Sequence, residues 1–299
     1  MMACRATVKH AARRDWLSTV MTAASVLLIA AGVATLSWQP VLKWMESFKQ
    51  SRAASTAIEA VDVMPRSKTE SMVAAAVAYN EKIVRNGQPT VNDAFTEDAG
   101  TGSEYSLTLD TDGKGLMGRV RIPAIGVDLP IMHGTDSDTL DHNVGHVAGT
   151  SLPVGGKGTR TVLAAHNGLP TADLFKRLPE LEKGDLVDID SPAGLLSYRV
   201  TGFHVVAPSD VSSIKIVKGK DMVTLLTCTG MGNSRRLLVD AERVTPSVPA
   251  EEEEDKYDAA KARALLTGAA TLGLLATAAL ATRFVRKRRH HAKHVEASR

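Results

Sequence analysis

From residue 116 onwards, the apolar residues of this chain occur in short runs that Gly, Pro, Asn and Asp separate. Such runs are typical of β-strands bounded by turns. Seven or eight short strands with little helix between them predict a mainly β fold, a closed or nearly closed barrel. Single helical turns are predicted at 136–142 and at 171–178, the second capped by Thr171. The predicted strands are 118–122, 127–132, 160–166, 186–189, 195–206, 222–228 and 235–241.

The chain before residue 116 has a different pattern. Residues 43–62 mix polar and apolar side chains and predict a helix beside a membrane. Residues 69–85 are rich in alanine and predict a second helix, capped by Thr69 and ended by an Asn-Gly pair. Residues 86–115 show neither a helical nor a strand period. A structureless stretch of this length in a compact domain is uncommon and often forms a lid or a binding loop.

Two long runs, 16–38 and 264–282, carry no charged residue. As helices that rise about 1.5 Å per residue, they would be roughly 35 Å and 28 Å long, and a bilayer core is about 30 Å thick. We therefore expect both runs to be transmembrane helices. The alternatives are a cleaved signal peptide for the first run and a buried alanine-rich helix for the second.

Basic tails flank these two runs. Residues 1–15 and 283–299 hold 11 of the 36 Lys and Arg residues and 2 of the 33 Asp and Glu residues, which leaves 25 basic against 31 acidic residues between them. The positive-inside rule predicts two cytoplasmic tails and an extracellular middle, which is the topology of a two-pass cell-membrane protein. The acidic stretch at 246–262 predicts a linker. The middle segment has no basic stripe, so we expect no nucleic-acid partner.

The chain has two cysteines, Cys4 and Cys228. They cannot pair within one chain, because Cys4 lies in the predicted cytoplasmic tail and Cys228 outside the membrane. Extracellular cysteines are normally paired. Cys228 is therefore either a buried core thiol or a reactive group. A zinc site is disfavoured because Cys228 has no close Cys or His in the sequence, and we expect no metal and no cofactor.

Cysteine catalysis needs a thiolate, a group that protonates the leaving amine and a donor to the oxyanion. Of the five histidines between the predicted membrane spans, only His166 ends a strongly apolar strand. If that strand runs in the same direction as the strand of Cys228, both side chains reach one barrel rim. A tight hairpin would bring Arg236 back beside the thiol, whereas Arg235 faces the opposite side of the strand. The alternatives are a structural histidine and a solvated arginine.

Residues 224–239, TLLTCTGMGNSRRLLV, resemble the TLxTC…R signature of the sortases, the surface transpeptidases of Gram-positive bacteria. The similarity extends over residues 118–242. The GTSLPVGG and HNGLPTADLF sequences, together with the second predicted membrane span, resemble the class C, pilus-assembling branch. Four further segments carry the resemblance, IPAIGVDLPIMHG (122–134), NVGHVAGTSLPVGG (143–156), LAAHNGLPTADLFKRL (163–178) and KGDLV (183–187).

The resemblance implies a fold and a catalytic set. It implies a closed, eight-stranded sortase-type barrel at 116–245, preceded by N-terminal helices and a lid loop at 43–115. Cys228 would be the nucleophile and His166 the catalytic histidine. Thr227 and Arg236 would bind the substrate, and Arg236 would also be the catalytic arginine. The turn after Cys228 is shorter than in most of the branch.

The resemblance also implies a lid. Asp93-Ala94-Phe95 stands where the class C branch carries an Asp-Pro-aromatic sequence that plugs the active site. Asp93 would approach the catalytic polar groups, and Phe95 would cover the thiol. Ala94 replaces the lid proline, and because proline restricts its own φ and the preceding residue, we expect a less rigid lid.

The activity that the resemblance implies is peptide transfer. Cys228 would cleave an LPxTG-like sorting signal between Thr and Gly and form a thioacyl intermediate, which a pilin lysine amine would then attack. The expected partners are pilin subunits or surface proteins with C-terminal sorting signals, and the membrane. Two alternatives are a housekeeping sortase that uses an amine of the cell-wall precursor, and a non-catalytic, membrane-anchored barrel that binds peptides.

Overall fold

The computed structural model describes residues 63–88, 91, 93–95 and 103–247, together with the single positions 21, 24, 25, 28, 49, 52 and 55. The two predicted membrane spans, the predicted helix at 43–62, the acidic linker and both basic tails fall wholly or largely outside these residues. Among the described residues, no helix combines the length and the apolar character that crossing a membrane requires.

Eight strands form a closed barrel in the order β1-β2-β3-β4-β7-β8-β6-β5. The β2–β3 and β4–β7 pairs are parallel, and the other neighbours are antiparallel. The prediction of a closed, eight-stranded, mainly β barrel is therefore confirmed. The strands are β1 Leu116–Ile122, β2 Val127–His133, β3 Val144–His146, β4 Thr159–Ala164, β5 Leu186–Ser191, β6 Gly194–Val206, β7 Asp221–Thr229 and β8 Arg235–Arg243.

Strands β4 and β7 are buried on both faces, which explains why apolar residues occupy adjacent positions, at Val162–Ala164 in β4 and at Leu225 and Leu226 in β7. On β7, Val223 and Leu225 point into the barrel core, whereas Leu226 belongs to a second apolar cluster on the outer face of the wall. That outer cluster joins barrel residues to residues of the predicted lid and of the β6–β7 loop. Its buried members are Val91, Ala94, Leu140, Val147, Val162, Ala164, Ile214, Leu226 and Leu238.

Three α-helices are described, α1 Arg66–Asn86, α2 Ser103–Leu107 and α3 Ser137–His142. The predicted Thr69 cap is wrong, because Pro65 precedes the first helical residue and its carbonyl accepts the backbone N–H groups of Lys68 and Thr69. Helix α1 is fixed to the barrel by Asn80, whose buried amide bonds both the N–H and the carbonyl of Leu152 at 2.7 and 3.1 Å.

Four other features differ from the sequence prediction. The strand predicted at 160–166 ends at Ala164, and the predicted helix at 171–178 is absent. Leu174 has a left-handed φ of 43°, and the N–H of Phe175 donates to the carbonyl of His166, so no helical ladder forms. Helix α2 interrupts the stretch predicted as a loop, and strand β3 was not predicted. Helix α2 has five residues and β3 has three, which are too few to show a periodic pattern.

A buried polar network connects α2 to the barrel. The hydroxyl of Tyr105 lies 2.8 Å from Nδ1 of His146, and Nε2 of His146 lies 2.9 Å from the carbonyl of Ser151. Burial lowers the pKa of His146 to about 3, so the ring is neutral. Its Nε2–H therefore donates to Ser151, and Nδ1 accepts from Tyr105, whose oxygen accepts from the N–H of Gly134.

Replacing Tyr105 by Phe is expected to lower the free energy of unfolding by about 1–3 kcal/mol, because the wholly buried Nδ1 of His146 loses its donor. Urea denaturation of both proteins measures the difference. Leu107→Ala, in the same helix at a side chain that is 79% exposed, is the control and should change stability by less than about 0.5 kcal/mol. Equal stability of Tyr105→Phe and the parent would show that the network is not stabilising.

Candidate active site

The hairpin of β7 and β8 places a cysteine and an arginine side by side. Cys228 and Arg236 are direct partners in the register, and both side chains are buried. The turn between them is tight because Gly230, Gly232 and Asn233 all have left-handed φ values, which Gly and Asn tolerate best. Arg235 lies on the opposite side of β8 and donates to the carbonyl of Val205 at 3.0 Å, away from the thiol.

His166 reaches the same level of the barrel through the parallel β4–β7 pair. The register pairs Ala164 with Leu226, and the N–H of Ala165 continues it by donating to the carbonyl of Leu226 at 3.1 Å. His166 lies two residues after Ala164, and Cys228 lies two residues after Leu226. The expectation that both strands run the same way is met, although His166 lies in the loop after β4.

The histidine, the cysteine and the arginine share the outer face of the barrel wall. Side chains of a strand alternate between faces, and Leu226 and Leu238 lie in the outer apolar cluster. Cys228 and Arg236 are two positions from these leucines and therefore point outwards as well. His166 has the same relation to Ala164 of that cluster. These three side chains thus lie at the strand ends, facing the segment that covers this side of the barrel.

That segment is the predicted lid. The carboxylate of Asp93 accepts two hydrogen bonds from Arg236, 2.9 Å from Nε and 2.5 Å from Nη2. The ring of Phe95 lies 5.0 Å from the guanidinium carbon of Arg236 and 5.7 Å from the ring of His166. Asp93 and Phe95 therefore lie over Arg236 and His166, and only 6% of Cys228 is exposed.

Gln88, which no sequence pattern singled out, attaches the base of the lid to the β6–β7 loop. Its side-chain amide accepts from the N–H of Ile216 at 2.9 Å and donates to the carbonyl of Ile214 at 3.4 Å. Ala94 is 98% buried in the outer cluster beside Ile214. A cleft between lid, loop and barrel wall has Val206, Ile214, Leu226, Leu238 and Arg236 in its lining.

With the lid in place, the thiol is held in its neutral form. Burial raises the pKa of Cys228, Arg236 opposes this rise, and the nearby charge of Asp93 adds to it. The hydrogen bonds that Arg236 donates to Asp93 raise the pKa of Arg236, so the guanidinium stays charged. Nη1 of Arg236 donates to the carbonyls of Asn233 and Arg235, which fixes its orientation. The donors on Nε and Nη2, which an oxyanion would use, are occupied by Asp93.

Two further residues adjoin His166. Oδ1 of Asp141, in α3, lies 3.7 Å from Nε2 of His166. No motif pointed to Asp141. Thr227, which the resemblance assigns to substrate binding, is wholly buried and donates to the carbonyl of Ala165 at 2.8 Å. Within residues 63–88, 91, 93–95 and 103–247, no cluster of three metal-ligating side chains occurs.

A closed barrel with a cysteine, a histidine and an arginine on one face of its wall has the groups that cysteine-dependent acyl transfer requires. A family profile described as Sortase domain matches residues 120–244. Sortase C of Streptococcus pneumoniae is 37% identical, with 66% of this chain and 99% of that chain covered and a TM-score of 0.61. The chain belongs to the sortase family, whose members are cysteine transpeptidases.

Other relatives agree with this assignment. Sortase C-1 of Actinomyces oris is 43% identical over 59% of this chain and 98% of that chain, with a TM-score of 0.55. Sortase D of Bacillus subtilis (strain 168) is 33% identical over 132 residues, which are 43% of this chain and 64% of that protein. The chain therefore spans slightly less than two thirds of the length of that relative.

Opening the lid should make the thiol more reactive. In Asp93→Ala/Phe95→Ala, the burial and the negative charge that raise the pKa of Cys228 are both reduced, so that pKa falls. If the pKa of Cys228 falls by one unit, about tenfold more thiolate is present at neutral pH. We expect iodoacetamide to alkylate the variant roughly tenfold faster at pH 7, with the midpoint of the pH–rate curve at lower pH.

Phe203→Ala is the matched control, since Phe203 lies on β6 outside the lid contacts and is 36% exposed. Its alkylation curve should follow that of the parent. The single variants separate the two contributions, because Asp93→Asn removes the charge and Phe95→Ala removes the ring. A double variant with the parent's rate and midpoint would mean that Asp93 and Phe95 do not restrain the thiol.

Proposed function

We propose that this protein is a membrane-anchored transpeptidase that cleaves an LPxTG-like sorting signal between Thr and Gly and joins the threonine to an amine. The observation that carries the proposal is the placement of His166, Cys228 and Arg236 on one face, beside a cleft with apolar walls. An extended peptide with Leu and Pro suits that cleft, which lies between the β6–β7 loop and strands β7 and β8.

In the first half-reaction, the lid leaves the cleft and the peptide takes its place, which frees the Arg236 donors from Asp93. The Cys228 thiolate attacks the threonine carbonyl carbon, and Arg236 stabilises the oxyanion that forms. Collapse of this tetrahedral species breaks the Thr–Gly bond. His166 gives its proton to the departing glycine amine, which leaves a thioester on Cys228 and a neutral imidazole.

In the second half-reaction, an amine enters beside His166 and attacks the thioester carbon. The neutral imidazole takes the proton from the amine, and the sulfur of Cys228 leaves as a thiolate. The products are a new amide bond and the original thiolate–imidazolium pair. Oδ1 of Asp141, 3.7 Å from Nε2 of His166, lies beside the ring through which both proton transfers pass.

For the acceptor, we propose a lysine amine of a pilin subunit. The Streptococcus pneumoniae sortase C has been analysed for its pilin substrate specificity, and sortase C2 of Group B Streptococcus Pilus Island 1 is 44% identical over 60% of this chain. Cell-wall precursor is the second candidate acceptor, since Sortase A of Bacillus anthracis is 32% identical over 134 residues. The lid over the catalytic set favours the pilin.

The proposed location of the barrel is the outer side of the cell membrane. The charge-free runs at 16–38 and 264–282 would cross the cell membrane, with both basic tails in the cytoplasm and the barrel outside. The barrel would then face the surface proteins that carry sorting signals.

Cys228→Ala in the full-length protein should abolish cleavage of an LPxTG peptide, because no thioester can form. Cleavage is followed by release of the glycine-containing fragment in a chromatographic assay. Cys4→Ala removes the other cysteine and should retain the parent's rate. If neither the parent nor Cys228→Ala cleaves the peptide, the enzyme proposal fails and the non-catalytic peptide-binding barrel becomes the better explanation. Equal cleavage by both proteins would show that Cys228 is not the nucleophile.

The acceptor is tested by competition. The full-length protein is incubated with a pilin that carries a sorting signal and with a soluble analogue of the cell-wall precursor amine, and the products are identified by mass spectrometry. We expect a Thr–Lys isopeptide between two pilins as the main product. Threonine joined mainly to the precursor amine would instead identify a housekeeping sortase.

A further inference from the structure

We infer that Thr227 is a positioning residue for His166: its hydroxyl holds the loop that carries the histidine, and it does not bind substrate. The inference rests on the proposed transpeptidase function, in which His166 moves a proton in both half-reactions. It concerns a residue that belongs to the signature of the site but whose side chain does not face the site.

His166 lies outside the strands of the barrel. β4 ends at Ala164 and Ala165 donates the last hydrogen bond to β7, so the histidine lies one residue beyond the ladder. The following residues form no helix and no strand until Leu178. A proton donor must stay within hydrogen-bond reach of the leaving amine, and a loop does not provide this without additional contacts. Some other group must therefore fix this part of the loop.

Hydrogen bonds on either side of His166 fix the backbone that carries it. Oγ1 of Thr227 donates to the carbonyl of Ala165 at 2.8 Å, and the N–H of Ala165 donates to Leu226 at 3.1 Å. The carbonyl of His166 accepts from the N–H of Phe175, also at 3.1 Å. The Ala165–His166 peptide is thus held from both ends. Of these three bonds, only the one from Thr227 uses a side chain.

Thr227 lies on the inner face of β7. Leu226 is in the outer cluster and Leu225 in the barrel core, so the alternation turns Cys228 outwards and Thr227 inwards. The side chain of Thr227 has no exposed surface. A peptide in the outer cleft would meet the thiol of Cys228, whereas the Thr227 hydroxyl lies behind the backbone of the same strand.

These observations separate two roles of the hydroxyl. Thr227→Val keeps the branched shape but removes the donor, so the carbonyl of Ala165 loses this bond. Thr227→Ser keeps the donor. If Thr227 positions His166, the valine variant loses turnover and keeps substrate affinity, whereas a substrate-binding hydroxyl would mainly affect KM.

The test measures cleavage of an LPxTG peptide by the full-length parent and its variants. We expect Thr227→Val to lower kcat about tenfold or more and to leave KM within about twofold, with the limb of the pH–rate profile that reports His166 displaced. Thr227→Ser should restore kcat to within about threefold of the parent. Iodoacetamide should alkylate Cys228 at the parent's rate at a pH where the thiol is fully ionised, because the cysteine itself has not moved.

Thr224→Val is the matched control. Thr224 lies on the same strand, is equally buried and donates to Asp240 at 2.6 Å, with no contact to the histidine loop. It should keep kcat and KM within about twofold. Thermal unfolding of each variant shows that it is folded at the assay temperature. Should Thr227→Val not fold, Thr227→Ala, which also lacks the hydroxyl, carries the same expectation.

An unchanged kcat in a folded Thr227→Val would overturn the inference, and so would a raised KM with normal kcat, which would assign the hydroxyl to substrate binding. Failure of the proposed function looks different, because the parent and Cys228→Ala would then cleave the peptide equally.

Discussion

The active site depends on the parallel pairing of β4 with β7. Parallel neighbours end at the same edge of a sheet, so the residues that follow them come to the same level, here His166 and Cys228. Parallel strands cannot be joined by a tight turn. The connection from β4 to β7 therefore contains β5 and β6, and these two strands complete the barrel. The topology that closes the barrel is thus also the one that brings the histidine to the cysteine.

The same pairing leaves an apolar outer face that needs a cover. β4 and β7 carry apolar side chains on both faces, and the barrel core covers only the inner one. Val91 and Ala94 of the lid, with Ile214 of the β6–β7 loop, cover the outer one. Burial of an apolar side chain is worth roughly 1.5–3 kcal/mol for the larger residues, so exposure of this face to water costs free energy. A bound peptide with apolar residues would restore the cover that the lid gives up.

The sequence predicted the elements that have a long or regular pattern, and it failed where the structure depends on contacts between distant residues. Alternation and apolar runs located seven of the strands, whereas the three residues of β3 were too few to show a period. The left-handed φ of Leu174 ended the predicted helix at 171–178 for a reason that lies in tertiary contacts. The end of an apolar strand pointed to His166, and the signature pointed to Cys228 and Arg236. The contacts of Gln88 and Asp141 have no local signal, because their partners are far away in the chain.

The attachment of the lid to the barrel depends on contacts as well as on the lid's own sequence. Ala94 lacks the φ restriction of the proline that the class C branch usually has, which favours a less rigid segment. In the structure, however, the hold on the lid comes from contacts with other parts of the chain. Asp93 forms a bidentate pair with Arg236, both side chains at most 13% exposed, and such a pair is stronger than one in open solvent. Gln88 adds a second attachment. Because Arg236 is also the proposed oxyanion donor, the contact that closes the lid is one that catalysis must break.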